Sequence, residues 1–393
     1  MKKQTIRDID LHGRRVFLRV DYNVQFVDGQ ILDDHRLRES IPTICTLQEA
    51  GARIVICSHR GRPGGKVVEE LSNVPVAQHL SKLLGNEVAT VSDCIGPEAQ
   101  AAANALEPGE VLVLENVRFY SEEENNDPEF AQALAKLADV YVSDAFGTAH
   151  RAHSSVVGVP EHLPAVAGLL MEREVNYLSS VIDNPNRPLG LVLGGAKVAE
   201  KLSILEFLCD SADVICVGGG IANTFLIAQG IDVGASLAEP DRIEDAFRVM
   251  RKAAKRPDLR LVLPRDVVIS DASGDIVTTV SVNLIPPDFR ILDIGPDTNK
   301  DFQAALKPMQ TIAWNGPMGL FEREPFDHGS LEMAKFLANL PDAMTVVGGG
   351  ETAAAVARAG VSDRISHCST GGGASLQLLE GRSLPGLEAL LDA

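Results

Sequence analysis

Lys197 and Lys201 stand four residues apart just after Gly194-Gly195, in the stretch LGLVLGGAKVAEKLSIL from Leu189 to Leu205. On a helix that spacing puts both ammonium groups on one face. Two like charges there repel, and a cation in the first turn opposes the helix dipole, each at a cost of roughly a few tenths of a kcal/mol. An anion between them reverses both effects, so the chemistry this stretch can do is to hold phosphate at a helix N-terminus. The plainer alternative is a solvated pair that happens to follow a glycine turn.

A second set of cations lies in the first half. The apolar run Arg15 to Val20 ends at Asp21-Tyr22-Asn23, and DDHRLR at Asp33 to Arg38 carries Arg36 and Arg38. The run Ala52 to Cys57 ends at His59, Arg60 and Arg62 in a glycine-rich loop with Lys66; Glu110 to Leu114 ends near Arg118; Val140 to Val142 ends near His150, Arg151 and His153. Arginine's planar fork suits carboxylate and phosphate oxygens. Repeated past successive apolar runs in a chain of formal charge -18, the pattern predicts a convergent basic pocket for a small anion. Arg38 and the run Glu122-Glu123-Glu124 read as solvated surface. His150 and His153, three apart with no third ligand nearby, make a poor metal set.

These residues need elements to hold them. Each apolar run is short, strand-like and followed by polar residues or glycine, which places the candidates at strand C-terminal ends, where open α/β sheets bind ligands. The second half repeats the scheme with glycine: Val214 to Val217 leads into Gly218-Gly219-Gly220, Leu261 to Leu263 into Pro264-Arg265-Asp266, and Thr311 to Trp314 into Asn315-Gly316-Pro317. Val346-Val347 leads into Gly348-Gly349-Gly350 and Ser369-Thr370 into Gly371-Gly372-Gly373, each expected to open a helix with free backbone N–H groups. Apolar residues at helical spacing from Leu163 to Val181, ended by Asn184-Pro185, predict a linking helix. One half thus reads as binding a dense anion through side chains, the other a phosphate chain through backbone.

At 393 residues the chain predicts two or three domains. Hydrophobic residues at 45% and charged residues at 23% are those of a soluble globular protein, and no apolar run approaches the ~20 residues of a bilayer span. The six cysteines are scattered without a CxxC pair, and no apolar segment follows the N-terminal lysines, so a reducing cytoplasm is expected. The acidic balance argues against nucleic acid or membrane as a partner. There is no P-loop sequence, and no strand runs into GxGxxG with an acidic residue beyond it.

Blocks throughout the chain carry a resemblance. DYNV at Asp21, DDHRLR at Asp33, SHRGRP at Ser58, LENVRFY at Leu114, SDAFGTAHRAH at Ser143, LGGAKVAEK at Leu193, GGGIANTF at Gly218, WNGPMGLFE at Trp314, GGGETAAAV at Gly348 and STGGGASLQLLEG at Ser369 resemble phosphoglycerate kinase, in the same order. The resemblance implies an α/β fold of two doubly wound, mainly parallel-sheet (Rossmann-like) domains joined by a hinge helix. It places an N-terminal 3-phosphoglycerate domain at 1–170, the hinge helix at 171–183, a nucleotide domain at 184–370, and a glycine turn with a returning C-terminal segment at 371–393.

The implied reaction is reversible phosphoryl transfer between 1,3-bisphosphoglycerate and ADP, giving 3-phosphoglycerate and ATP, with Mg2+, in a cytoplasmic monomer. The substrate set carried over is Asp21, Asn23, Arg36, His59, Arg62, Arg118 and Arg151, with Arg60 and His153 left out. The nucleotide set is Gly195, Ala196, Gly218, Gly219, Leu292, Asn315 and Pro317 for adenine, Glu322 for ribose, and Lys201, Gly349, Gly350, Glu351 and Thr352 for the phosphates. Arg36 and Lys197, with Gly350 and Gly373 in the glycine turns, are assigned to the group in transfer. Glu351 stands where the family commonly has an aspartate that reaches the nucleotide's magnesium. Gln25 and Arg60 replace a common proline and leucine. A binding or scaffolding protein that kept only the fold would be expected to lose Arg36 or Lys197, and both are present.

Overall fold

The computed structural model describes residues 2–27 and 29–393, apart from the side chain of Glu200. The chain divides into two compact units, one containing the residues up to Asn176 together with Ser383–Ala393, the other Tyr177–Arg382.

In the first unit the elements run β1 (Arg15–Arg19), β2 (Phe26–Val27), β3 (Gln30–Ile31), α1 (His35–Glu49), β4 (Arg53–Cys57), α2 (Val74–Leu84), β5 (Ala89–Thr90), α3 (Gly96–Ala105), β6 (Val111–Val113), α4 (Ser121–Glu124), α5 (Pro128–Ala135), β7 (Val140–Ser143), β8 (Ala165–Ala167) and the start of α6 (Leu169–Ile182). Six strands pair in the order β5-β6-β4-β1-β7-β8, all parallel. Val16, Phe17 and Leu18 are fully buried, as central parallel strands covered on both faces must be. Helix α1 buries Leu37, Ser40, Thr43, Ile44 and Leu47, one stripe at three- and four-residue spacing, against that sheet. From β1 the chain builds outward on one side through β4, then crosses to β7 on the other. The reversal beside β1 opens a crevice at the strand C-terminal ends.

The second unit repeats the plan: β9 (Leu189–Leu193), α7 (Val198–Leu208), β10 (Val214–Val217), α8 (Gly219–Ala228), α9 (Ile243–Ala254), β11 (Arg260–Val262), β12 (Asp266–Ser270), β13 (Val277–Ser281), β14 (Arg290–Ile294), α10 (Pro296–Leu306), β15 (Thr311–Asn315), α11 (His328–Ala338), β16 (Met344–Gly348), α12 (Gly350–Arg358), β17 (His367–Cys368) and α13 (Gly373–Leu379). Its parallel sheet has the order β11-β10-β9-β15-β16-β17, with the reversal between β9 and β15. A short helix, α14 (Pro385–Glu388), lies in the C-terminal segment of the first unit. There Gly386 N donates to Ala149 O at 2.8 Å and Gln4 N to Leu391 O at 2.9 Å.

Three expectations are corrected. The helix expected from Leu163 begins only at Leu169, because Ala165–Ala167 pairs with β7 as a strand. The helix start is set by distant groups: Thr43 Oγ accepts from Leu169 N at 3.0 Å, and the buried Asp144 accepts from Leu170 N and Met171 N at 2.9 and 3.1 Å. Second, the Pro264-Arg265-Asp266 turn opens a strand instead of a helix. Strands β13-β12-β14 form an antiparallel sheet over its own apolar cluster of Leu226, Val233, Val267, Ile269 and Val282. Third, no helix follows directly on Asn315-Gly316-Pro317; α11 starts at His328.

Candidate functional site

Of the basic residues of the first unit, His59, Arg36, Arg118 and Arg151 come together at the crevice. Arg36, in the first turn of α1, forms an ion pair with Asp21, just past β1. Asn23 Oδ1 accepts from Gly61 N at 2.9 Å, which ties the loop after β1 to the glycine loop after β4. Asn116 cross-links the next pair of loops: its Oδ1 accepts from Arg60 N and Arg118 N at 3.2 and 3.1 Å, and its Nδ2 donates to Arg60 O and Leu71 O, both at 2.9 Å. Arg118 is thereby held almost fully buried, with Nη1 on Gly61 O at 2.8 Å and Nε 3.3 Å from Glu124 Oε1. Its Nη2 is buried with no hydrogen-bond partner among the described residues. Arg62 is exposed on the glycine loop and Arg151 half-buried.

The electrostatics confirm the convergence. Burial, and then the charges of Arg19, Arg118, Arg36 and Arg151, hold His59 well below the usual histidine range. Burial, with Arg118, Arg151, Arg19 and His150, brings His153 down to about 4, and burial with Arg151 lowers His150. Burial pushes Arg118 down to about 10, with Arg151 and Arg19 adding to it. The arginines Arg19, Arg36, Arg118 and Arg151 outnumber the acids Asp21, Glu123 and Glu124 beside them, a setting suited to a small carboxylate- or phosphate-bearing anion.

Sequence reasoning missed part of this site. Arg19 lies inside the first apolar run and read as strand; it is 1% exposed, beneath the crevice. Glu123, taken for solvated surface, is fully buried: its carboxyl accepts from Ser155 Oγ at 2.6 Å and Ser155 N at 2.8 Å and lies 3.8 Å from His153 Nδ1. The signal available was an arginine as the last residue of a strand, which should have suggested a buried acidic partner. Arg60 turns away from the cluster, its guanidinium 4.3 Å over the Phe26 ring and bonded to Ser72 O. Arg38 pairs with Asp34 at 2.7 Å on the surface. Among the described residues no group of three or more His, Cys, Asp or Glu gathers as a metal cage, His150 and His153 included.

In the second unit glycine turns interlock at the reversal of the sheet. Gly194 N donates to Asn315 O at 3.0 Å, Gly195 N to Pro317 O at 2.7 Å and Gly219 N to Met318 O at 3.0 Å. A Cβ on Gly194 would lie 2.2 Å from Pro317 O, and one on Gly316, at φ +93, 2.1 Å from Gly194 O. Only glycine lets these backbones meet. Beside them is a pocket of ≈ 220 Å³ walled by Leu237, Val267, Ile291, Leu292, Ile294 and Met318. Of the sequence candidates, Gly195, Ala196, Gly219, Leu292, Pro317, Glu322 and Glu351 line it.

The others sit around it. Asn315 is buried beside the next turn, where a Cβ on Gly348 would stand 3.1 Å from its Nδ2, and neither of its amide atoms has a partner. Gly218 and Gly349 are the N-caps of α8 and α12, Gly350 and Gly373 the first residues of α12 and α13, and Thr352 Oγ accepts from Gly316 N at 2.7 Å. The two lysines are not equivalent: Lys197 is the exposed N-cap of α7, Lys201 is 6% exposed. A carboxylate already meets this helix start, since Glu239 Oε1 accepts from Val198 N at 3.1 Å.

Asp293, a wall residue of the pocket, is buried and accepts from Gly329 N at 2.7 Å and Ile294 N at 2.9 Å. Burial, with Asp327 adding to it, raises its pKa to about 8. The folded value lies above the unfolded one, so its contribution to stability is full below about pH 4 and is lost as pH rises toward 8. Asp293→Asn is therefore expected to gain on the parent chain between pH 5 and 8, by at most about 1.4 kcal/mol per pH unit, and to level off above. Urea unfolding of both proteins at several pH values checks this; a difference independent of pH would refute it.

Comparison with known proteins gives a consistent result. The family model described as phosphoglycerate kinase matches residues 6–382. Among curated proteins, the phosphoglycerate kinase of Pelotomaculum thermopropionicum is 50% identical over 394 residues and that of Roseiflexus sp. strain RS-1 52% over 397, each covering 100% of both chains. Among solved structures, phosphoglycerate kinase from Coxiella burnetii superposes with a TM-score of 0.89 at 39% identity, covering 98% of each chain. With two reversed parallel sheets, an arginine crevice and a glycine-walled pocket in the matching order, the chain belongs to the phosphoglycerate kinase family.

Proposed function

We propose that the arginine crevice of the first unit holds 3-phosphoglycerate and the apolar pocket of the second holds the nucleotide. These are the two halves of the reversible phosphoryl transfer between 1,3-bisphosphoglycerate and ADP that the family carries out. The observation that carries the substrate assignment is the cluster of Arg36, Arg118, Arg151 and His59 with a buried, unpartnered Arg118 Nη2, in a chain of net charge -18. Asp21 and Asn23 position Arg36 and the glycine loop, and Arg62 completes the set from its exposed position.

In the ATP-consuming direction a carboxylate oxygen of 3-phosphoglycerate forms a bond to the γ-phosphorus as the bond to the β-phosphate oxygen breaks, and ADP leaves. The carboxylate is already ionised near neutral pH, so no general base is needed, and the protein's task is to align the groups and neutralise charge on the equatorial oxygens. Arg36 and Lys197 do this, with the backbone N–H groups of Gly350 and Gly373. Lys201 anchors the phosphate chain, Glu322 the ribose, and Gly195, Ala196, Gly219, Leu292 and Pro317 form the adenine slot, with Gly218 and Asn315 in the turns beside it. Gly349, Glu351 and Thr352 belong to the turn around the phosphates. An acyl phosphate hydrolyses in water, so turnover includes closure of one unit on the other about α6.

Mg2+ fits these residues as an ion held mainly by nucleotide phosphates. Glu351, the acidic residue in the first turn of α12, lines the pocket together with Asp293 and Glu322 and is the carboxylate we assign to the ion. When bound, the ion neutralises charge on the phosphate oxygens. Among the described residues no helix is long and apolar enough to cross a membrane. From its family we take the protein to act as a cytoplasmic monomer.

Arg118→Ala is expected to weaken 3-phosphoglycerate binding about tenfold or more while leaving ADP binding unchanged, because a buried charge-assisted contact is lost from one unit only. Isothermal titration with each ligand decides it. Equal loss of both would mean a folding defect.

A further inference from the structure

Arg19 ends β1 beneath the crevice and is 1% exposed. Its nitrogens are nonetheless all engaged: Nε donates to Ser155 Oγ at 2.8 Å, Nη1 to Val20 O, and Nη2 lies 3.3 Å from His59 Nδ1. A guanidinium carries only donors and does not deprotonate in proteins. In this contact the imidazole nitrogen must therefore be the acceptor, and the proton of a neutral ring must sit on Nε2.

We propose that Arg19 is a positioning residue for the phosphoryl transfer: held through Ser155 by the buried Glu123, it fixes His59 as the neutral Nε2–H tautomer, a hydrogen-bond donor of set direction for the substrate. The proposal rests on the reading that His59 binds 3-phosphoglycerate. Ser155 makes the link, because its Oγ accepts from Arg19 and donates to Glu123 Oε1 at 2.6 Å while its backbone N donates to Glu123 Oε2 at 2.8 Å.

The charges around His59 act in the same sense. Arg19 comes from β1, Arg36 from α1, Arg118 from the turn Val117–Phe119 and Arg151 from the loop after Phe146–Thr148, and all disfavour imidazolium. Opposing them is Asp21, whose Oδ1 is 4.0 Å from His59 Nδ1 and whose other oxygen is taken by Arg36. A proton on Nδ1 would face the Nη2–H of Arg19 head-on. His59 thus serves as a donor that does not titrate, and affinity for 3-phosphoglycerate does not follow a histidine ionisation.

The test is long-range 1H–15N NMR of the 15N-labelled full-length protein, with the His59 ring assigned by His59→Gln. Expected between pH 5.5 and 8 is one neutral species, Nδ1 unprotonated and Nε2 protonated, with no titration. A wild-type ring that is Nδ1-protonated, or that titrates near 6.5, overturns the proposal without any variant. The charge-balanced double variant Arg19→Met/Glu123→Gln is expected to release His59 into a tautomer mixture that titrates. Its KM for 3-phosphoglycerate should rise about tenfold, with a new pH dependence, and kcat should change less than about threefold. If the double variant keeps the single tautomer, Arg19 does not set it. A His59 that has the expected tautomer but ignores added 3-phosphoglycerate would refute the substrate assignment instead, so the two failures are distinguishable.

Discussion

Replacing Lys197 by alanine is expected to lower kcat at least a hundredfold, with the dissociation constants of 3-phosphoglycerate and ADP changing less than about threefold. The two lysines that open the glycine-rich stretch differ in setting. Lys201 is nearly buried along α7, where a cation can hold a bound phosphate chain; Lys197 is exposed at the N-cap, one turn closer to the glycines. A charge that meets the transferring group only as its oxygens spread in the transition state stabilises that state over the ground state, and its loss appears in kcat. A hundredfold is about 2.7 kcal/mol, the size found when one donor to a developing charge is removed. Steady-state kinetics with direct binding measurements checks this, and a loss confined to affinity would reassign Lys197 to ground-state binding.

Glu123→Ala is expected to destabilise the protein by about 3 kcal/mol, well beyond Glu123→Gln at about 1 kcal/mol. The alanine removes both acceptors of Ser155, leaves a hole at a fully buried position and strips Arg19 of the buried acid it meets through Ser155. The glutamine keeps shape and one acceptor. Urea unfolding of the three proteins at pH 7 measures it, and equal, small losses for both variants would mean that Arg19 is compensated by other groups.

Much of this molecule was legible because its signals are local. Strand runs such as Leu189–Leu193 and Val214–Val217 stand where their apolar patterns put them, and His59, Arg118 and Arg151, past Cys57, Val113 and Ser143, gather because parallel strands deliver their C-terminal ends to one edge. What was not legible depends on partners remote in sequence. The start of α6 at Leu169 is fixed by Thr43 and Asp144, and Ala165–Ala167 is a strand because β7 offers it an edge. Glu123 sits in an acidic run indistinguishable from surface, and only the fold shows that Ser155 and Arg19 lie beside it. The antiparallel sheet β13-β12-β14 was hidden in part because its strand β13 is exposed on both faces, which blurs the alternation that marks a half-buried strand. Asn315, assigned with the adenine slot by resemblance, stands against the Gly348–Gly349 turn, outside the residues that line the pocket.

The central claim is direct transfer between a carboxylate held by the arginine crevice and a nucleotide held by the glycine-walled pocket. Purified protein given 3-phosphoglycerate, ATP and Mg2+ should produce ADP and 1,3-bisphosphoglycerate, and should make neither when 3-phosphoglycerate or Mg2+ is left out. No ADP from the complete mixture, under conditions where the Coxiella burnetii enzyme turns over, would contradict the account; so would ADP formed without 3-phosphoglycerate.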